Sequence, residues 1–300
     1  MYKVVLKITL LLLFNFLALS SQALAKLAYT YYNYNPLEQN STNTATEKRP
    51  VLIWIHGCRQ TQQDFVDATD IVAKTKHLNP IIIAPEKNTS INLTKCWNFL
   101  SDKMKKRDGE YMEIVQEVKT LIKTGIADSS RIFVAGFSSG AMFANHLALC
   151  FPEVFKGALI HSGAPYNVSA SLSSQGAKYT AYQAIQCAGP LKDVQLKTIF
   201  YIHGEKDNVV SPNLGRHAFE QAVQYFDYLD DRRFNESLTQ LYRNSYGGLS
   251  VAYPNQISVH HLEVPNLTHR WSGSKPGSNF SSPLTVSAVD IFLDLTEQLK

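Results

Sequence analysis

Three side chains in this sequence have the types and the order along the chain that acyl-transfer chemistry needs. Ser138 lies in the segment GFSSG, between an apolar run at 131–135 and a helical pattern that follows it. A serine hydroxyl becomes a good nucleophile when a histidine takes its proton and a carboxylate orients that histidine. Asp207 and His269 each follow a later apolar run. The pattern therefore predicts Ser138 as nucleophile, Asp207 as acid and His269 as base.

Glycines on either side of the serine support this interpretation. Where a strand turns directly into a helix, the positions two before and two after the serine come too close together to hold side chains. Gly136 and Gly140 occupy those positions. A glycine-flanked turn with an unreactive serine is the alternative.

Other acids and histidines compete for the same roles. Glu205 is closer than Asp207 to the end of its apolar run, and Asp193 precedes that run, at the opposite end of a strand. Four further histidines fall within predicted strands or helices: His146, His217, His260 and His261. A position on the loop after a strand favours Asp207 and His269.

The negative oxygen of an acyl-transfer intermediate needs two backbone N–H donors. The residue after the nucleophile normally supplies one, which predicts Ser139. The second normally comes from the loop after an early strand, which here begins with His56-Gly57. Because Gly57 lets the backbone approach a substrate closely, either Cys58 or Arg59 is expected to donate. A simple turn at His56-Gly57 is the alternative.

Apolar runs alternate with helical patterns along most of the chain. Continuous runs of this kind are typical of strands buried on both faces of a parallel sheet. They occur at 50–56, 80–85, 131–135, 157–161, 198–203 and 258–264, with an edge strand expected at 27–34 and helices at 64–76, 109–122 and about 287–299. The pattern predicts an α/β fold, a doubly wound and mostly parallel sheet flanked by helices. Ligands bind beyond the carboxyl ends of such strands, where the candidate residues gather.

The first 25 residues have the pattern of a secretory signal. Two lysines precede an apolar stretch at 8–19, and Ala23 and Ala25 suit a cleavage site. We therefore expect residues 1–25 to be removed and 26–300 to form a single catalytic domain. The mature protein is expected to be secreted, either extracellular or periplasmic, without a stable membrane anchor.

Composition gives no support for nucleic-acid, metal or cofactor binding. Lys and Arg total 29 and Asp and Glu total 25, and two of the lysines lie in the predicted signal. The one basic cluster, at 103–107, is typical of a solvated loop. The chain has no Cys-x-x-Cys pair, so a zinc site is not expected.

Four cysteines follow the predicted signal. They are Cys58, Cys96, Cys150 and Cys187. In an exported protein an even number favours two disulfides, and the spacing alone allows three pairings.

Six blocks of sequence form a recognisable set in a fixed order. They are HGCRQTQQDF (56–65), CWNF (96–99), GFSSGAM (136–142), FPEVFKGALIHSGAPY (151–166), HGEKDNVV (203–210) and THRWSG (268–273). This set resembles the polyhydroxybutyrate-depolymerase-type esterases of the α/β-hydrolases, a family that also includes feruloyl and acetylxylan esterases. The resemblance implies the α/β-hydrolase fold and assigns the nucleophile, acid and base to the same three residues as above.

The resemblance also implies an oxyanion donor and a disulfide pairing. In the family the cysteine after the His-Gly pair donates an N–H to the oxyanion, which corresponds to Cys58. Its implied partner is Cys96, and this bridge would fasten the oxyanion loop to the loop that carries Trp97. Cys150 would then pair with Cys187. A preorganised donor needs no rearrangement during the reaction, so the first bridge is expected to serve catalysis as well as stability.

Two tryptophans are candidate substrate-binding residues. Trp97 adjoins Cys96, and Trp271 stands two residues after His269. At the rim of a site their rings would suit an apolar polymer, a sugar or an aromatic group, and ordinary packing is the alternative. Residues 211–255 contain no motif that we can assign, and we expect them to shape the substrate pocket.

Together these features predict a secreted serine esterase that works through an acyl-enzyme. Among ester substrates, hydroxyalkanoate oligomers or polymers such as polyhydroxybutyrate rank ahead of feruloyl or acetyl esters of plant polysaccharide. Acyl transfer to a carbohydrate or lipid by the same triad, and a catalytically silent binding protein, are the alternatives.

Overall fold

The computed structural model describes residues 27–36, 47–87, 94–99, 107–168, 176–231, 240–243, 246–253, 256–273, 275, 281–282 and 286–297. The predicted signal at 1–25 and most of the basic cluster at 103–107 lie outside the described residues. Within the described ranges, no helix is long and apolar enough to cross a bilayer.

The described part of the chain forms a sheet of nine strands. They are β1 (Ala28–Tyr32), β2 (Arg49–Ile55), β3 (Ile81–Glu86), β4 (Ala127–Phe137), β5 (Gly157–His161), β6 (Thr198–Gly204), β7 (Gln240–Arg243), β8 (Leu249–Tyr253) and β9 (Ile257–Val264). Their order across the sheet is β1-β3-β2-β4-β5-β6-β9-β8-β7. The six strands from β3 to β9 pair in parallel, whereas β1 at one edge and β8 and β7 at the other pair antiparallel. This is the predicted α/β-hydrolase arrangement.

Helices connect the strands and cover both faces of the sheet. They are α1 (Gln62–Thr69), α2 (Ile71–Lys74), a 3₁₀ turn (Lys76–Leu78), α3 (Gly109–Lys123), α4 (Ser139–Cys150), α5 (Gly176–Ala188), α6 (Pro212–Asp231) and α7 (Ala288–Glu297). Two short strands, β10 (Trp271–Ser272) and β11 (Ser281–Ser282), pair in parallel outside the main sheet.

The predicted single helix at 64–76 is wrong, because the chain turns sharply in the middle of it. Thr61 and Asp64 form a reciprocal capping box that starts α1. Asp70 then adopts a left-handed conformation with φ 56°, which ends α1 and redirects the chain into α2. Aspartate tolerates the left-handed conformation better than most residues do. The helical spacing of apolar residues continues past Asp70, so the sequence does not reveal the break.

The central strands are buried on both faces, as their continuous apolar runs predict. In β2, Val51, Ile53 and Ile55 face one hydrophobic cluster, whereas Leu52 and Trp54 face another. Successive side chains of a strand point to opposite faces, so both faces need apolar residues here. All twelve residues of α4 are buried, which places the helix after Ser138 in the interior.

Candidate active site

Ser138 lies at a sharp turn between β4 and α4. Its backbone has φ 55° and ψ −121°, a conformation that few residues other than glycine adopt. A Cβ atom on Gly136 would come within 2.2 Å of the Gly140 carbonyl oxygen, and one on Gly140 within 2.3 Å of the His56 carbonyl oxygen. Neither position can hold a side chain, so the two glycines allow the turn that presents the serine.

The structure brings Ser138, His269 and Asp207 into one hydrogen-bonded chain. The hydroxyl of Ser138 lies 2.9 Å from Nε2 of His269, and Nδ1 of His269 lies 2.7 Å from a carboxylate oxygen of Asp207. These contacts suit Nδ1–H as donor to the carboxylate and Nε2 as acceptor of the serine proton. Ser138 is 7% exposed, and it lines the cleft described below.

Asp207 is buried at the start of the loop that follows β6. One carboxylate oxygen accepts hydrogen bonds from the N–H groups of Val209 and Val210, both at 2.9 Å. Burial alone would raise the pKa of Asp207, but hydrogen bonds from His203, His269 and the backbone outweigh it and hold this pKa well below its ordinary value. The carboxylate therefore stays ionised and can stabilise a charged His269.

His203, the last side chain of β6, is a site residue that the sequence reasoning missed. Its Nε2–H donates to the carbonyl of Val210 at 2.8 Å and lies 3.4 Å from the Asp207 carboxylate. A Cβ atom on Gly215 would come within 2.4 Å of the ring, so a glycine in α6 makes room for it. His203 thus clamps the loop that carries the acid. Its place in the block HGEKD, four residues before Asp207, was the available signal.

His161, at the end of β5, ties the serine turn to the segment after His269. Its carbonyl accepts a hydrogen bond from the N–H of Ser138 at 3.0 Å, and its ring Nε2 accepts one from the N–H of Ser272 at 3.1 Å. Its ring also stacks on Trp271 at 4.8 Å between centroids. Burial holds the pKa of His161 well below its ordinary value, so the ring stays neutral and Nε2 remains an acceptor.

The backbone geometry separates the two candidates for the second oxyanion donor. The N–H of Arg59 donates to the carbonyl of Thr94 at 2.8 Å, so it is already used. Within the described part of the chain, no protein group accepts a hydrogen bond from the N–H of Cys58. Ser139 is the first residue of α4, a position whose N–H has no partner inside the helix. Cys58 and Ser139 are therefore the available pair.

Both implied disulfides are present. Cys58 is bridged to Cys96, which ties the loop after β2 to the segment that holds Trp97. Cys150 is bridged to Cys187, which joins the end of α4 to the end of α5.

The two tryptophans do not lie at the rim of the site, so that expectation is wrong. Trp97 and Trp271 are each 1% exposed. The indole N–H of Trp97 donates to the carbonyl of His56 at 2.9 Å, and its ring packs against Phe143. Trp271 packs among core rings, including Phe65 at 5.1 Å. Both side chains brace the loops of the site from behind.

A cleft of about 610 Å³ opens onto the triad. The described residues that line it are Cys58, Arg59, Thr94, Cys96, Phe137, Ser138, Asn208, Val209, Thr268, His269 and Arg270. Phe137, Asn208, Thr268 and Arg270 were not predicted to line the cleft, although each is next to a predicted site residue in the sequence. That adjacency was the available signal. No described residue of 211–255 lines this cleft, so the expected role of that segment in shaping the pocket is not seen there. The described residues of the segment form α6 and the antiparallel strands β7 and β8.

The competing acids and histidines lie away from the hydrogen-bonded chain. Glu205 is exposed and accepts a hydrogen bond from the N–H of Asn266. Asp193 is exposed before β6. The other candidate histidines lie within regular elements, with His146 on α4, His217 on α6, and His260 and His261 on β9.

A named depolymerase and two named esterases are similar to this chain. The chain is 30% identical to poly(3-hydroxyalkanoate) depolymerase C of Paucimonas lemoignei over 42% of this chain and 30% of that protein. It is 26% identical to feruloyl esterase B of Thermothelomyces thermophilus over 63% of this chain and 68% of that protein. The acetyl xylan esterase from Aspergillus awamori has a similar fold, with a TM-score of 0.68 and 18% identity over 90% of this chain and 94% of that one.

The match to a family extends over most of the catalytic blocks. The model of the family described as esterase PHB depolymerase matches residues 39–237, more than half of the 300 residues. The matched region includes Ser138 and Asp207, together with both disulfides. This chain therefore belongs to the esterase PHB depolymerase family.

Proposed function

We propose that this protein is a serine esterase that hydrolyses carboxylic esters through an acyl-enzyme. The observation that carries the proposal is the continuous hydrogen-bonded chain from Ser138 through His269 to the buried Asp207, at the base of an open cleft. A serine with this support is the nucleophile of hydrolases on several unrelated folds.

The reaction would proceed in two halves. His269 Nε2 takes the proton of Ser138 as its oxygen attacks the ester carbonyl, and the N–H groups of Ser139 and Cys58 hold the negative oxygen. His269 then gives its proton to the leaving alcohol. Water, activated by the same histidine, attacks the acyl-enzyme and releases the acid. Asp207 remains ionised and stabilises the charged histidine in both halves.

The relatives support ester hydrolysis, and their names indicate three classes of substrate. Their names specify a poly(3-hydroxyalkanoate) depolymerase, a feruloyl esterase and an acetylxylan esterase. The matched segment spans only 30% of the depolymerase, and the acetyl xylan esterase structure shares the fold at 18% identity, so their full activities do not transfer to this chain. We infer hydroxyalkanoate esters as the preferred class.

We also propose that residues 26–300 act as one catalytic domain outside the cytoplasm. Two disulfides in a small hydrolase suit an oxidising compartment such as the periplasm or the medium. The predicted signal is consistent with this placement.

A substrate panel tests the proposal. Purified protein would be assayed on hydroxybutyrate oligomers, methyl ferulate, acetylated xylan and p-nitrophenyl acyl esters, with Ser138→Ala as the blank. We expect hydrolysis that is lost in Ser138→Ala and is fastest on hydroxybutyrate oligomers. Faster turnover of ferulate or acetylxylan would move the substrate to the polysaccharide esters, and full activity in Ser138→Ala would overturn the esterase mechanism itself.

A further inference from the structure

Among the described residues that line the cleft, the charged side chains at the surface are of one sign. Among the described lining residues, Arg59 and Arg270 are the charged ones at the surface, and no exposed carboxylate joins them. The carboxylate of Asp207 lies behind His269, is buried, and is already hydrogen-bonded. A positive charge at the edge of a cleft raises the local concentration of anionic ligands and favours their binding.

Arg59 differs from four other described arginines, none of which lines the cleft. Arg49, Arg107, Arg131 and Arg216 each donate to a carbonyl or a carboxylate of the protein. Within the described ranges, the guanidinium of Arg59 has no such acceptor, although it stands at the cleft. Five N–H donors in a planar fork therefore face solvent beside the reacting serine, in the geometry that binds a carboxylate with two hydrogen bonds.

The backbone of Arg59 is held in place, so its side chain starts from a fixed point. Its φ is 62°, and its N–H is hydrogen-bonded to the carbonyl of Thr94 at 2.8 Å. The preceding residue, Cys58, is bridged to Cys96 and is the available oxyanion donor. Arg59 therefore directly follows the residue whose N–H is expected to bind the oxygen of the ester carbonyl.

We propose that Arg59 is a specificity-determining residue that binds a free carboxylate on the substrate, close to the scissile ester. This inference rests on the proposed esterase function and narrows its substrate class. An ester whose alcohol portion is a 3-hydroxy acid carries such a carboxylate a few bonds from the scissile carbonyl, as at the carboxyl end of a hydroxyalkanoate oligomer. Acetyl and feruloyl esters of neutral sugars carry none.

The test compares two substrates that differ only in this charge. One is the linear dimer of 3-hydroxybutyrate with its free carboxylate, and the other is the same dimer with that carboxylate converted to a primary amide. We expect kcat/KM of the wild type to favour the acid about tenfold, because charge-assisted bidentate hydrogen bonds are among the stronger ones. The preference should fall as salt is raised, because an exposed charge pair is screened.

Variants of Arg59 test whether its side chain causes the preference for the acid over the amide. Arg59→Gln should bring the ratio of acid to amide close to one, and Arg59→Lys should keep part of it, since it retains the charge without the fork. Lys206→Gln is the matched control, because it removes an exposed positive charge that does not line the cleft. Lys206→Gln should keep the wild-type ratio.

Failure of the role of Arg59 and failure of the proposed esterase function give different results. A wild-type ratio near one, an unchanged ratio in Arg59→Gln, or equal losses in Arg59→Gln and Lys206→Gln would overturn the role of Arg59. If neither dimer is cleaved while p-nitrophenyl butyrate is, the substrate class is wrong and the inference fails although the esterase function stands. If p-nitrophenyl butyrate is not cleaved either, the proposed function itself fails.

Discussion

At the scale of single residues, one hydrogen-bonded chain carries the chemistry, because His269 lies between Ser138 and the buried Asp207 and contacts both. Each of these residues lies in a motif whose position after a strand is set by local sequence, which made it predictable. The direction of a large side chain depends on the packing around it. For this reason Trp97 and Trp271 were misplaced at the rim.

His203 gives a prediction at this scale, because it is buried and clamps the acid loop through one ring nitrogen. His203→Phe removes this donor, which should raise the pKa of Asp207 toward its ordinary value and loosen the loop. The change leaves the buried Val210 carbonyl without its donor, which costs roughly 1–3 kcal/mol, so kcat should fall about tenfold. The measurement is kcat on a p-nitrophenyl ester.

His203→Gln is the matched control, since its side-chain amide can still donate near the position of Nε2. It should recover most of the lost activity at a melting temperature close to that of His203→Phe. Wild-type kcat in His203→Phe, or the same loss in both variants, would show that the nitrogen has no role in holding the acid.

At the scale of elements, the buried parallel strands were predictable because both of their faces need apolar residues. The hairpin of β7 and β8 was not, since its strands are short and β8 is buried only in part. The break between α1 and α2 was not predictable for a different reason. The helical spacing of apolar residues continues across Asp70, although the left-handed backbone of that residue ends α1.

The two disulfides allow a matched comparison of elements. Their sequence separations are 38 and 37 residues, so chain entropy predicts nearly equal stabilisation, about 4 kcal/mol each. Only Cys58–Cys96 lines the cleft and fixes the loop of the expected oxyanion donor. We expect the double variants Cys58→Ser/Cys96→Ser and Cys150→Ser/Cys187→Ser to lose similar stability, whereas only the first loses kcat strongly.

Denaturant unfolding gives the stabilities, and kcat is measured well below both melting transitions. Equal kcat values in the two double variants would contradict a catalytic role for the first bridge. A much larger fall in stability for the first bridge alone would show that its effect on activity comes from unfolding.

At the scale of the whole molecule, the protein carries several buried histidines that stay neutral. Burial lowers the pKa of His146 to about 3 and those of His260 and His261 to about 4. In the unfolded chain the same groups have pKa values of about 6.5. Between about pH 6.5 and pH 4 the unfolded state therefore binds more protons than the folded state, so stability must fall as the pH falls.

This linkage predicts an acid-labile protein. At pH 5 each of the three histidines should cost about 2 kcal/mol relative to pH 8, a large share of the roughly 5–15 kcal/mol by which domains are stable. The measurement is the free energy of unfolding at pH 8, 6.5 and 5. His146→Phe, which replaces a ring stacked on Tyr111 with an apolar ring, should make the dependence shallower. A flat profile between pH 8 and pH 5 would contradict the account.

The fold as a whole was predictable from the alternation of strands and helices, because the resulting sheet has few topologies that bury every apolar face. The secretory signal and the single domain at 26–300 remain predictions, since they depend on processing and on residues outside the described ranges. The identity of the substrate depends on the few side chains that line the cleft, and most of those lie on loops with no periodic pattern.

Covalent labelling shows whether Ser138 is an activated nucleophile. Native protein would be treated with a fluorophosphonate and its peptides mapped by mass spectrometry. We expect one adduct, on Ser138, with labelling slowed about a hundredfold or more in His269→Ala, because the histidine takes the serine proton. Unfolded protein should not be labelled. Labelling of another serine, or an unmodified Ser138 in protein that hydrolyses esters, would show that Ser138 is not the nucleophile.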